Sequence, residues 1–476
     1  MSKKSLRRLP AWLLATGDMV VLNLALIMAF YLRFAGSQPS SNYEALVSTL
    51  PWVSLTALML FAGLGLYEQQ LGGLVPVMRA LLPAVLITGL ATAAIAFWIR
   101  GFAFPRSVLL FGVLGQFCGL LVWRGICWHA ARVIHGQRQL LVIGSEETAC
   151  PFLEKLLDLP RGLFRIQGVV APWDMATLKE QLPEVDGVIV SPGATPENKA
   201  TVVALCLEAG REVYLVPELY EVMLTGARVE QLDDLPVLQV EDISLSYVQA
   251  AVKRALDVIV TFMILVVTLP IVIIAALSVR LSSPGPVFYV QERVGYRGRV
   301  FNLPKLRTMV DNAEKDTGPV LAKADDGRVT WAGKFLRSTR IDELPQLFSV
   351  LKGDMSLVGP RPERPVFVDE FQRAHPAYRY RHVVKPGLTG VAQVYGRYTT
   401  SWEDKLRYDL YYIRNYSLIL DLRVLLRTVP VALSPSAARG RTKGQDKTEA
   451  VHALFNTMRQ ETTAGNKGKV VEGSIR

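Results

Sequence analysis

Residues 253–281 read KRALDVIVTFMILVVTLPIVIIAALSVRL, and this stretch decides how the chain is built around a membrane. The apolar run is longer than the ~20 residues that a helix needs to cross a bilayer. Basic residues stand at both of its ends: Lys253 and Arg254 before it, Arg280 and the arginines at 293, 297 and 299 after it. Because basic residues favour the cytosolic side, both ends are expected on that side.

Pro270 lies near the middle of the stretch, where it removes a helical hydrogen bond and favours a kink. A kinked helix that enters and leaves through one leaflet satisfies both observations, and we expect such a re-entrant helix over residues 250–283. A kinked helix that crosses the whole bilayer is the alternative, since proline is tolerated in full spans too.

Four more apolar segments precede this stretch, over residues 11–32, 46–66, 78–99 and 107–131. Each approaches the length of a transmembrane helix. The first lacks a small-residue cleavage site and is followed by further spans, so it is interpreted as an anchor rather than a signal peptide. MSKKSLRR before it and the lack of Lys and Arg in residues 34–45 predict a cytosolic N-terminus, although Arg100 and Arg106 weaken the pattern. Four spans then return the chain to the cytosol near Arg132 and Arg138.

The composition narrows the class of function. The 476 residues are 50% hydrophobic, and a formal charge of +11 is compatible with nucleic acid, anionic lipid or a phosphorylated substrate. No run of Lys and Arg alternates with aromatic residues, so no nucleic-acid partner is expected. The four cysteines form no CxxC pattern, and His129 and His135 have no partner at metal spacing, so neither disulfides nor a zinc site is expected.

Residues 137–249 are expected to form a small α/β module. Strand-like runs begin RQLLVIG and recur as FRIQGVV, DGVIVSP and EVYLVP, alternating with helical stretches such as PENKATVVALCLEAG. The G-x-G-x-x-G positions of a dinucleotide site read Gly144, Glu146 and Ala149, and Glu146 would place a negative charge where a pyrophosphate binds. The module is therefore interpreted as a degenerate Rossmann-like fold with a structural or regulatory role.

The segment RSTRIDELPQLFSVLKGD, residues 337–354, carries an acidic pair, Asp342 and Glu343. Asp342 makes a good N-cap of a predicted helix, with Pro345 in its first turn and Gly353 just past its end. A carboxylate at a helix N-terminus also keeps its charge more easily, which suits a nucleophile or a Mg²⁺ ligand as well as a cap. One apolar face is predicted at helical spacing: Leu344, Leu347, Phe348 and Leu351.

Basic residues are dense in the sequence around this pair, on loops rich in glycine and proline. They are Lys305, Arg307, Arg337, Arg340, Arg361, Lys385 and Arg397. So many cations suit a polyphosphate ligand, and Pro360 and Pro362 would hold Arg361 in an extended geometry. A solvated basic surface on a membrane-bound domain is the alternative.

Several ordered motifs from Lys253 to Thr428 are similar to those of a known family. They are KR followed by Asp257, the mid-helix proline, QERVG, KLRTM, DELPQLFSVLKGDMSLVGPRP, KPGLTGVAQVYGR and YDLYYIRNYSLILDL. In them the chain resembles the bacterial polyprenyl-phosphate hexose-1-phosphate transferases, the monotopic phosphoglycosyl transferases of exopolysaccharide, capsule and O-antigen synthesis. The four apolar segments and the α/β module resemble its long-form members, so the resemblance covers nearly all of the chain. One departure is Leu269, where the family often has serine before the proline, and it raises the question of how the freed backbone carbonyls are satisfied.

The resemblance implies a reaction and a set of site residues. Members of the family transfer a sugar phosphate from a UDP-sugar to undecaprenyl phosphate and release UMP. By this resemblance Asp342 is the nucleophile that forms an aspartyl phospho-sugar intermediate, Glu343 assists as general acid/base or metal support, and Mg²⁺ bridges the diphosphate and the pair. Asp409 and Asp421 fall on recurring acidic positions whose roles are not separated. The implied substrate-binding residues are Lys305, Arg307, Arg337, Arg361, Lys385, Gln393 and Arg397.

The expected architecture is a membrane protein of mixed class. Residues 1–136 form a four-helix transmembrane bundle, 137–249 the Rossmann-like α/β module, 250–283 the re-entrant membrane helix, 284–434 an α-rich monotopic catalytic domain and 435–476 a mostly disordered basic tail. The implied setting is the bacterial inner (cytoplasmic) membrane, with the catalytic domain facing the cytoplasm. A homodimer and downstream glycosyltransferases are the implied partners.

Two other functions compete with this interpretation. A membrane-anchored nucleotide-sugar dehydratase or epimerase would need an intact dinucleotide loop and a Tyr-x-x-x-Lys pair, but Tyr214 is followed at that spacing by Glu218 and Tyr220 by Leu224. A non-catalytic scaffold or regulator of polysaccharide assembly would not need the intact acidic pair, PRP and KPG-TG motifs. Nothing in the sequence distinguishes which sugar is transferred.

Overall fold

The computed structural model contains two compact units, which adjoin in sequence at Pro217 and Glu218. Residues 218–249, which the sequence assigns to the α/β module, therefore belong to the second unit; the other predicted domain limits stay predictions. The predicted C-terminal tail lies outside the described residues. The structure describes residues 10–34, 40–67, 74–100, 105–135, 138–145, 147–150, 153, 164–240, 243–310, 326–396 and 400–432.

Four long apolar helices begin the first unit. They are α1 Ala11–Phe34, α2 Ser40–Gly63, α3 Leu74–Arg100 and α4 Arg106–His135. The helix α1 packs along α4 and α2 along α3, and a buried ion pair joins Asp18 of α1 to Arg124 of α4. Outward-facing apolar side chains such as Leu90 are exposed, as lipid-facing residues would be.

A parallel sheet follows the helices in the first unit. Its strands are β1 Arg138–Ile143, β2 Phe164–Val170, β3 Gly187–Val190 and β4 Glu212–Leu215, in the order β2-β1-β3-β4. The helices α5 Met175–Gln181 and α6 Pro196–Glu208 begin at side-chain caps on Asp174 and Thr195. All four predicted strands are present, and Leu141, Val188 and Val202 lie in their core.

The second unit begins with a short helix and a hairpin that the sequence did not predict. They are α7 Leu219–Leu224, β5 Arg228–Leu232 and β6 Leu235–Gln239. The turn is Asp233-Asp234, with Asp233 at φ 58°, as tight hairpin turns require. Asp-Asp is a weaker turn signal than Asn-Gly or Asp-Gly, so periodicity alone gave no indication of the hairpin.

Residues 247–282 form one helix of 36 residues, α8 Tyr247–Ser282. Ser246 and Gln249 close a capping box at its start, and the helix continues through Pro270. The hydroxyl of Thr268 donates to the carbonyl of Ile264 at 2.8 Å, two residues before Val266, whose carbonyl Pro270 cannot bond. Thr268 is thus the hydroxyl nearest to the position where Leu269 replaces the serine of the family.

Both halves of α8 contact the rest of the second unit. In the first half, Oδ1 of Asp257 accepts a hydrogen bond of 3.0 Å from the backbone N–H of Leu357. In the second half, Ala275 and Val279 are buried in a cluster with Leu306. Much of the remaining surface is apolar and exposed. Together with α1–α4, α8 makes five helices within the described residues that are long and apolar enough to cross a membrane, so the prediction of membrane helices is confirmed to that extent.

The remainder of the second unit is rich in helices, with two small sheets. The elements are β7 Phe288–Val294, β8 Val300–Leu306, α9 Trp331–Thr339, α10 Gln346–Lys352, β9 Ser356–Val358, α11 Pro365–Ala374, β10 Gly387–Thr389, α12 Val391–Tyr395, α13 Trp402–Arg414 and α14 Leu418–Ala432. Strands β7 and β8 pair antiparallel, and β9 and β10 pair parallel. Leu347, Leu357 and Val424 bring α10, β9 and α14 together in one core.

Candidate active site

The acidic pair lies in a tight turn between two helices. The helix α9 ends at Thr339, and its C-cap Arg340 is left-handed, with φ 58° and ψ 17°; a single 3₁₀ turn, Ile341–Glu343, follows. The helix α10 begins at Gln346, with Pro345 at its cap position, and ends at Lys352, with Gly353 as C-cap at φ 100°. The predicted position of Gly353 just past the helix end is confirmed, but the predicted N-cap is wrong: Asp342 lies inside the 3₁₀ turn, whose cap is Arg340, and Pro345 takes the cap position of α10. A left-handed non-glycine residue next to a functional turn is a form of backbone strain that packing must hold.

The predicted apolar face of this helix is partly wrong. Leu347 is buried and Leu344 packs against the core, but Phe348 is 48% exposed, while Val350 is buried instead. The 3₁₀ turn has ~3.0 residues per turn instead of ~3.6, so it changes the angle at which α10 presents its side chains. A prediction that starts the α-helix at Asp342 therefore assigns the wrong side chains to the core.

Glu343 is an ionised, paired carboxylate. Its Oε1 lies 2.6 Å from Nη2 of Arg361, and its Oε2 lies 4.0 Å from Nη1 of Arg340. Burial alone would raise the pKa of Glu343, but the charges of Arg361 and Lys305 outweigh burial and lower this pKa to about 2. The same contact raises the pKa of Arg361, so both groups keep their charges.

Asp342 differs from Glu343, because its pKa is raised rather than lowered. Burial, followed by the charge of Glu343, raises the pKa of Asp342 to about 6, against the opposing charges of Lys305 and Arg337. Within the described residues, no side chain of another residue donates a hydrogen bond to its carboxylate. Burial also lowers the pKa of Lys305 to about 8, although Glu343 opposes this effect. Asp342 is therefore a desolvated carboxylate close to cations and not bonded to them, which is the state expected of a nucleophile.

Three hydrogen bonds hold the PRP loop from which Arg361 extends. The carbonyl of Pro360 accepts from the N–H of Gly387 at 2.9 Å, and that of Arg361 accepts from Nη2 of Arg381 at 2.8 Å. The carbonyl of Pro362 accepts from Nη1 of Arg293 at 2.9 Å. The prediction that the two prolines preset the geometry of Arg361 remains a prediction, but the bonds show that neighbouring segments hold the loop on each of its three carbonyls.

The other predicted substrate-binding residues do not all converge on the pair. Arg337 and Lys305 are close enough to act on the charge of Asp342. Both terminal nitrogens of Arg307 instead donate to the carbonyls of Ser283 and Pro284 after α8, at 2.9 and 2.7 Å.

Lys385 lies beside Arg254 near Gly353, at the end of α10 remote from the pair. Both amide atoms of Gln393 are buried, without a hydrogen-bond partner within the described part of the chain. Arg397 lies outside the described residues. In the predicted set, Lys305, Arg337 and Arg361 therefore lie near the pair, Arg307 and Lys385 lie elsewhere, Gln393 has no described partner, and the position of Arg397 is not described.

The two acidic positions without an assigned role, Asp409 and Asp421, form buried ion pairs. Asp409 pairs with Arg381 at 2.8 Å, and Asp421 pairs with Lys253 of α8 at 2.6 Å. Asp421 also accepts from the hydroxyl of Tyr412 at 2.8 Å. The sequence singled out neither Arg293 nor Arg381 as a site residue. No signal in one sequence separates buried Arg381 from exposed Arg379, since the two differ only in what the fold packs around them.

Comparison with known proteins supports the assignment of these motifs. The sequence model of the bacterial sugar transferase family matches residues 248–435. A UDP-glucose:undecaprenyl-phosphate glucose-1-phosphate transferase of Caulobacter vibrioides is 44% identical over 193 residues, which are 39% of this chain and 71% of that relative. The chain belongs to the bacterial sugar transferase family.

Two further relatives are longer than that protein. A UDP-N-acetylgalactosamine-undecaprenyl-phosphate N-acetylgalactosaminephosphotransferase of Aeromonas hydrophila is 42% identical over 239 residues, 50% of this chain and 56% of the relative. A UDP-glucose:undecaprenyl-phosphate glucose-1-phosphate transferase of Klebsiella pneumoniae is 39% identical over 222 residues, 46% of this chain and 48% of the relative. The chain thus spans about half the length of these relatives. The relatives are named for different sugars, so the resemblance does not identify the sugar.

Proposed function

We propose that the protein transfers a hexose-1-phosphate from a UDP-sugar to undecaprenyl phosphate and releases UMP. The observation that carries this proposal is the desolvated carboxylate of Asp342, to which no other described side chain donates a hydrogen bond, beside the paired Glu343, within the segment that matches the family. Transfer of this kind would start the membrane stage of exopolysaccharide, capsule or O-antigen synthesis. A homodimer and delivery of the product to downstream glycosyltransferases belong to the same proposal.

The reaction has two displacements at one phosphorus. A carboxylate oxygen of Asp342 attacks the β-phosphorus, the bond from that phosphorus to the bridging oxygen breaks, and UMP leaves with the electron pair. An oxygen of undecaprenyl phosphate then attacks the phosphorus of the aspartyl phospho-sugar and displaces the carboxylate, which returns to its starting state. Covalent capture allows a soluble nucleotide sugar and a membrane lipid to react in turn at one site.

The surrounding cations fit the charge that this chemistry requires. An attacking carboxylate and a diphosphate repel each other, so catalysis depends on positioned positive charge. Lys305 and Arg337 act on Asp342, while Arg361 neutralises Glu343 and thereby limits the repulsion within the pair. Glu343 stays ionised at neutral pH, so we assign it to electrostatic support or metal binding rather than to proton donation.

The residues present fit a Mg²⁺ ion that the substrate helps to hold. Within the described residues no group of three or more His, Cys, Asp or Glu side chains forms a protein-only metal site. Mg²⁺ commonly takes one or two carboxylates and completes its shell with substrate phosphates and water. Asp342 and Glu343 would supply those carboxylates, and the bound ion would offset charge on the diphosphate.

The membrane arrangement is part of the proposal. We assign α1–α4 to a transmembrane bundle and α8 to a re-entrant helix, with the second unit on the cytoplasmic side of the bacterial inner membrane. A straight helix of this length would extend ~54 Å, more than the ~30 Å of the hydrocarbon core, and a crossing would send its ends to opposite sides. Contacts of both halves of α8 with the same unit support re-entry instead.

The test uses the full-length protein in detergent or nanodiscs with a radiolabelled UDP-sugar, undecaprenyl phosphate and Mg²⁺. We expect UMP and a lipid-linked sugar phosphate from the wild type, and neither product from Asp342→Asn. Product formation by Asp342→Asn at a rate close to that of the wild type would refute the assignment of the nucleophile. A screen of UDP-sugars by UMP release identifies the sugar, and release of UMP from none of them would refute the proposed function.

The metal and membrane parts have their own tests. Chelation by EDTA should stop UMP release, and added Mg²⁺ should restore it; undiminished release in EDTA would exclude the metal. Cysteines placed at Ser246 and Ser283, which flank α8, should both react with an impermeant maleimide from the cytoplasmic side. Labelling of the two positions from opposite sides would show a full span.

A further inference from the structure

A buried ion pair supports the PRP loop from behind. Nε of Arg381 lies 3.0 Å and Nη2 lies 2.8 Å from Oδ2 of Asp409, and the two residues are 5% and 2% exposed. The third guanidinium nitrogen, Nη1, donates to the hydroxyl of Tyr378. Each of the three nitrogens of Arg381 thus has a partner inside the protein, and the side chain is buried, so this arginine is placed to support the loop rather than to bind a substrate phosphate.

One of those nitrogens also reaches the active-site loop. Nη2 of Arg381 donates to the backbone carbonyl of Arg361 at 2.8 Å, while the side chain of Arg361 contacts Glu343 at 2.6 Å. Proline rings restrict φ on either side of Arg361, so rotation of its own peptide unit is the main freedom that the loop retains. A hydrogen bond to that carbonyl restricts this rotation and with it the direction of the Arg361 side chain.

We propose that Arg381, oriented by Asp409, is a positioning residue that fixes the peptide of Arg361 and so aims the Arg361 guanidinium at Glu343. The chain of contacts is Asp409 to Arg381, Arg381 to the Arg361 carbonyl, and Arg361 to Glu343. This inference rests on the proposed function for its catalytic meaning, but the positioning of the loop can be measured without the reaction. It assigns a role to Asp409 that its position in the sequence did not reveal.

An ordinary core ion pair is the competing explanation, and a matched pair in the same unit serves as the control. Lys253 and Asp421 are also buried and bonded at 2.6 Å, but they join α8 to α14 and have no bond to the PRP loop. Asp421→Asn therefore reproduces the chemical change of Asp409→Asn without removing the support behind Arg361. A purely structural role predicts the same outcome for both substitutions.

The first experiment is a double-mutant cycle on kcat/KM for UMP release. Asp409→Asn should lower kcat/KM about 10- to 100-fold, the size of effect expected when a charged group is displaced by about 1 Å. In an Arg361→Met background the same substitution should cause little further loss, because the group that it aims is already absent. Asp421→Asn should instead lower kcat/KM by the same factor in both backgrounds. If the loss of kcat/KM in the double variant equals the product of the losses in Asp409→Asn and Arg361→Met, the proposal is overturned.

The second experiment is hydrogen–deuterium exchange on the protein without substrate. The N–H of Gly387 bonds to the carbonyl of Pro360, and the N–H of Val294 bonds to that of Glu363, so these two amides report on the loop. Asp409→Asn should speed exchange in peptides that cover these amides and leave α10 unchanged, whereas Asp421→Asn should not speed them. Equal exchange in wild type and Asp409→Asn, or faster exchange throughout the unit, would overturn the proposal.

The two experiments separate the inference from the proposed function. If no UDP-sugar yields UMP, the proposed function fails, while exchange still decides whether the ion pair holds the loop. If Asp409→Asn does not fold, the double variant Arg381→Met/Asp409→Leu replaces the pair with apolar side chains, which buried ion pairs often tolerate. That variant must show the same local increase in exchange for the proposal to stand.

Discussion

The α/β module and the 3₁₀ turn Ile341–Glu343, the acidic turn, use polar residues in two opposite ways. In parallel sheets, ligands bind at the carboxyl ends of the strands, where the strand order reverses. In this sheet that place lies between the loops that follow β1 and β3. That position is filled: Oγ1 of Thr148 lies 3.0 Å from Oγ of Ser191 and 3.1 Å from Oγ of Ser145. A Cβ on Gly144 would lie 2.1 Å from Oγ of Ser191, so the two loops are packed together.

The acidic turn does not belong to a parallel sheet that would indicate where a ligand binds. Its two carboxylates nevertheless differ in their contacts and in their charge. Burial raises the pKa of Asp342, and no other described side chain donates a hydrogen bond to its carboxylate, whereas Arg361 keeps Glu343 ionised. In the module the hydroxyls satisfy one another, and in the turn one carboxylate is left available. The comparison shows that the crevice of the module bonds its hydroxyls to one another, whereas the acidic turn keeps a buried carboxylate to which no other described side chain donates.

Asp342→Asn, in the acidic turn, should have the largest effect on UMP release. Loss of the nucleophile should lower UMP release about 10⁴-fold at unchanged folding, because an amide cannot form the phospho-enzyme. Ser191→Ala in the module should leave UMP release within about twofold, since a small polar-to-apolar change there leaves the acidic turn untouched. Steady-state UMP release, with protein monodispersity as the folding check, measures both variants. A comparable loss in Ser191→Ala would show that the filled crevice takes part in catalysis.

Arg361→Met tests the cation that keeps Glu343 ionised. We expect kcat/KM to fall about 10²- to 10³-fold, because a buried carboxylate loses its partner and a positive charge beside the acidic pair is removed. Arg379→Met is the matched control, since Arg379 is an exposed arginine in the same unit. Retention of activity by Arg361→Met would mean that Arg361 contributes only to packing.

His382 should make the second unit sensitive to acid. Burial, with a smaller effect from Arg381, lowers the pKa of His382 to about 4 from about 6.5. A base with a lowered folded pKa stabilises the fold fully above its unfolded pKa, and this stability is lost as the pH falls from about 6.5 to 4. The loss should reach at most about 3 kcal/mol. Urea unfolding of the wild type and His382→Gln measures it; an identical acid dependence in the two proteins would contradict this assignment.

Gly144→Ala should have the smallest effect, and it tests how tightly the two loops of the α/β module are packed. Its Cβ would overlap Ser191, so we expect the unfolding free energy of the module to fall by about 1–3 kcal/mol. UMP release per folded molecule should not change. Gly327→Ala is the control, because a Cβ there meets no atom within 4 Å. An unshifted melting temperature in Gly144→Ala would show that the loops of the crevice can separate without cost.

The sequence predicted the helices and strands better than the detailed geometry of the site. The membrane helices, the four strands of the module and the end of α10 at Gly353 were predictable because periodicity, strand runs and glycine act locally. Asp342 was misplaced as a cap because a 3₁₀ turn and an α-helical turn look alike over three residues. The hairpin β5–β6 was missed because its turn carries no strong local signal.

Residue type and spacing were enough to locate the acidic pair, the proline-flanked Arg361 and the apolar helices, because each depends on neighbours within a few positions. The burial that separates the pKa values of Asp342 and Glu343 required the packed structure. So did the roles of Arg307 and Asp409, which form their contacts with residues more than twenty positions away. Charge and hydrogen bonding depend on distance in space, and only the folded chain sets that distance.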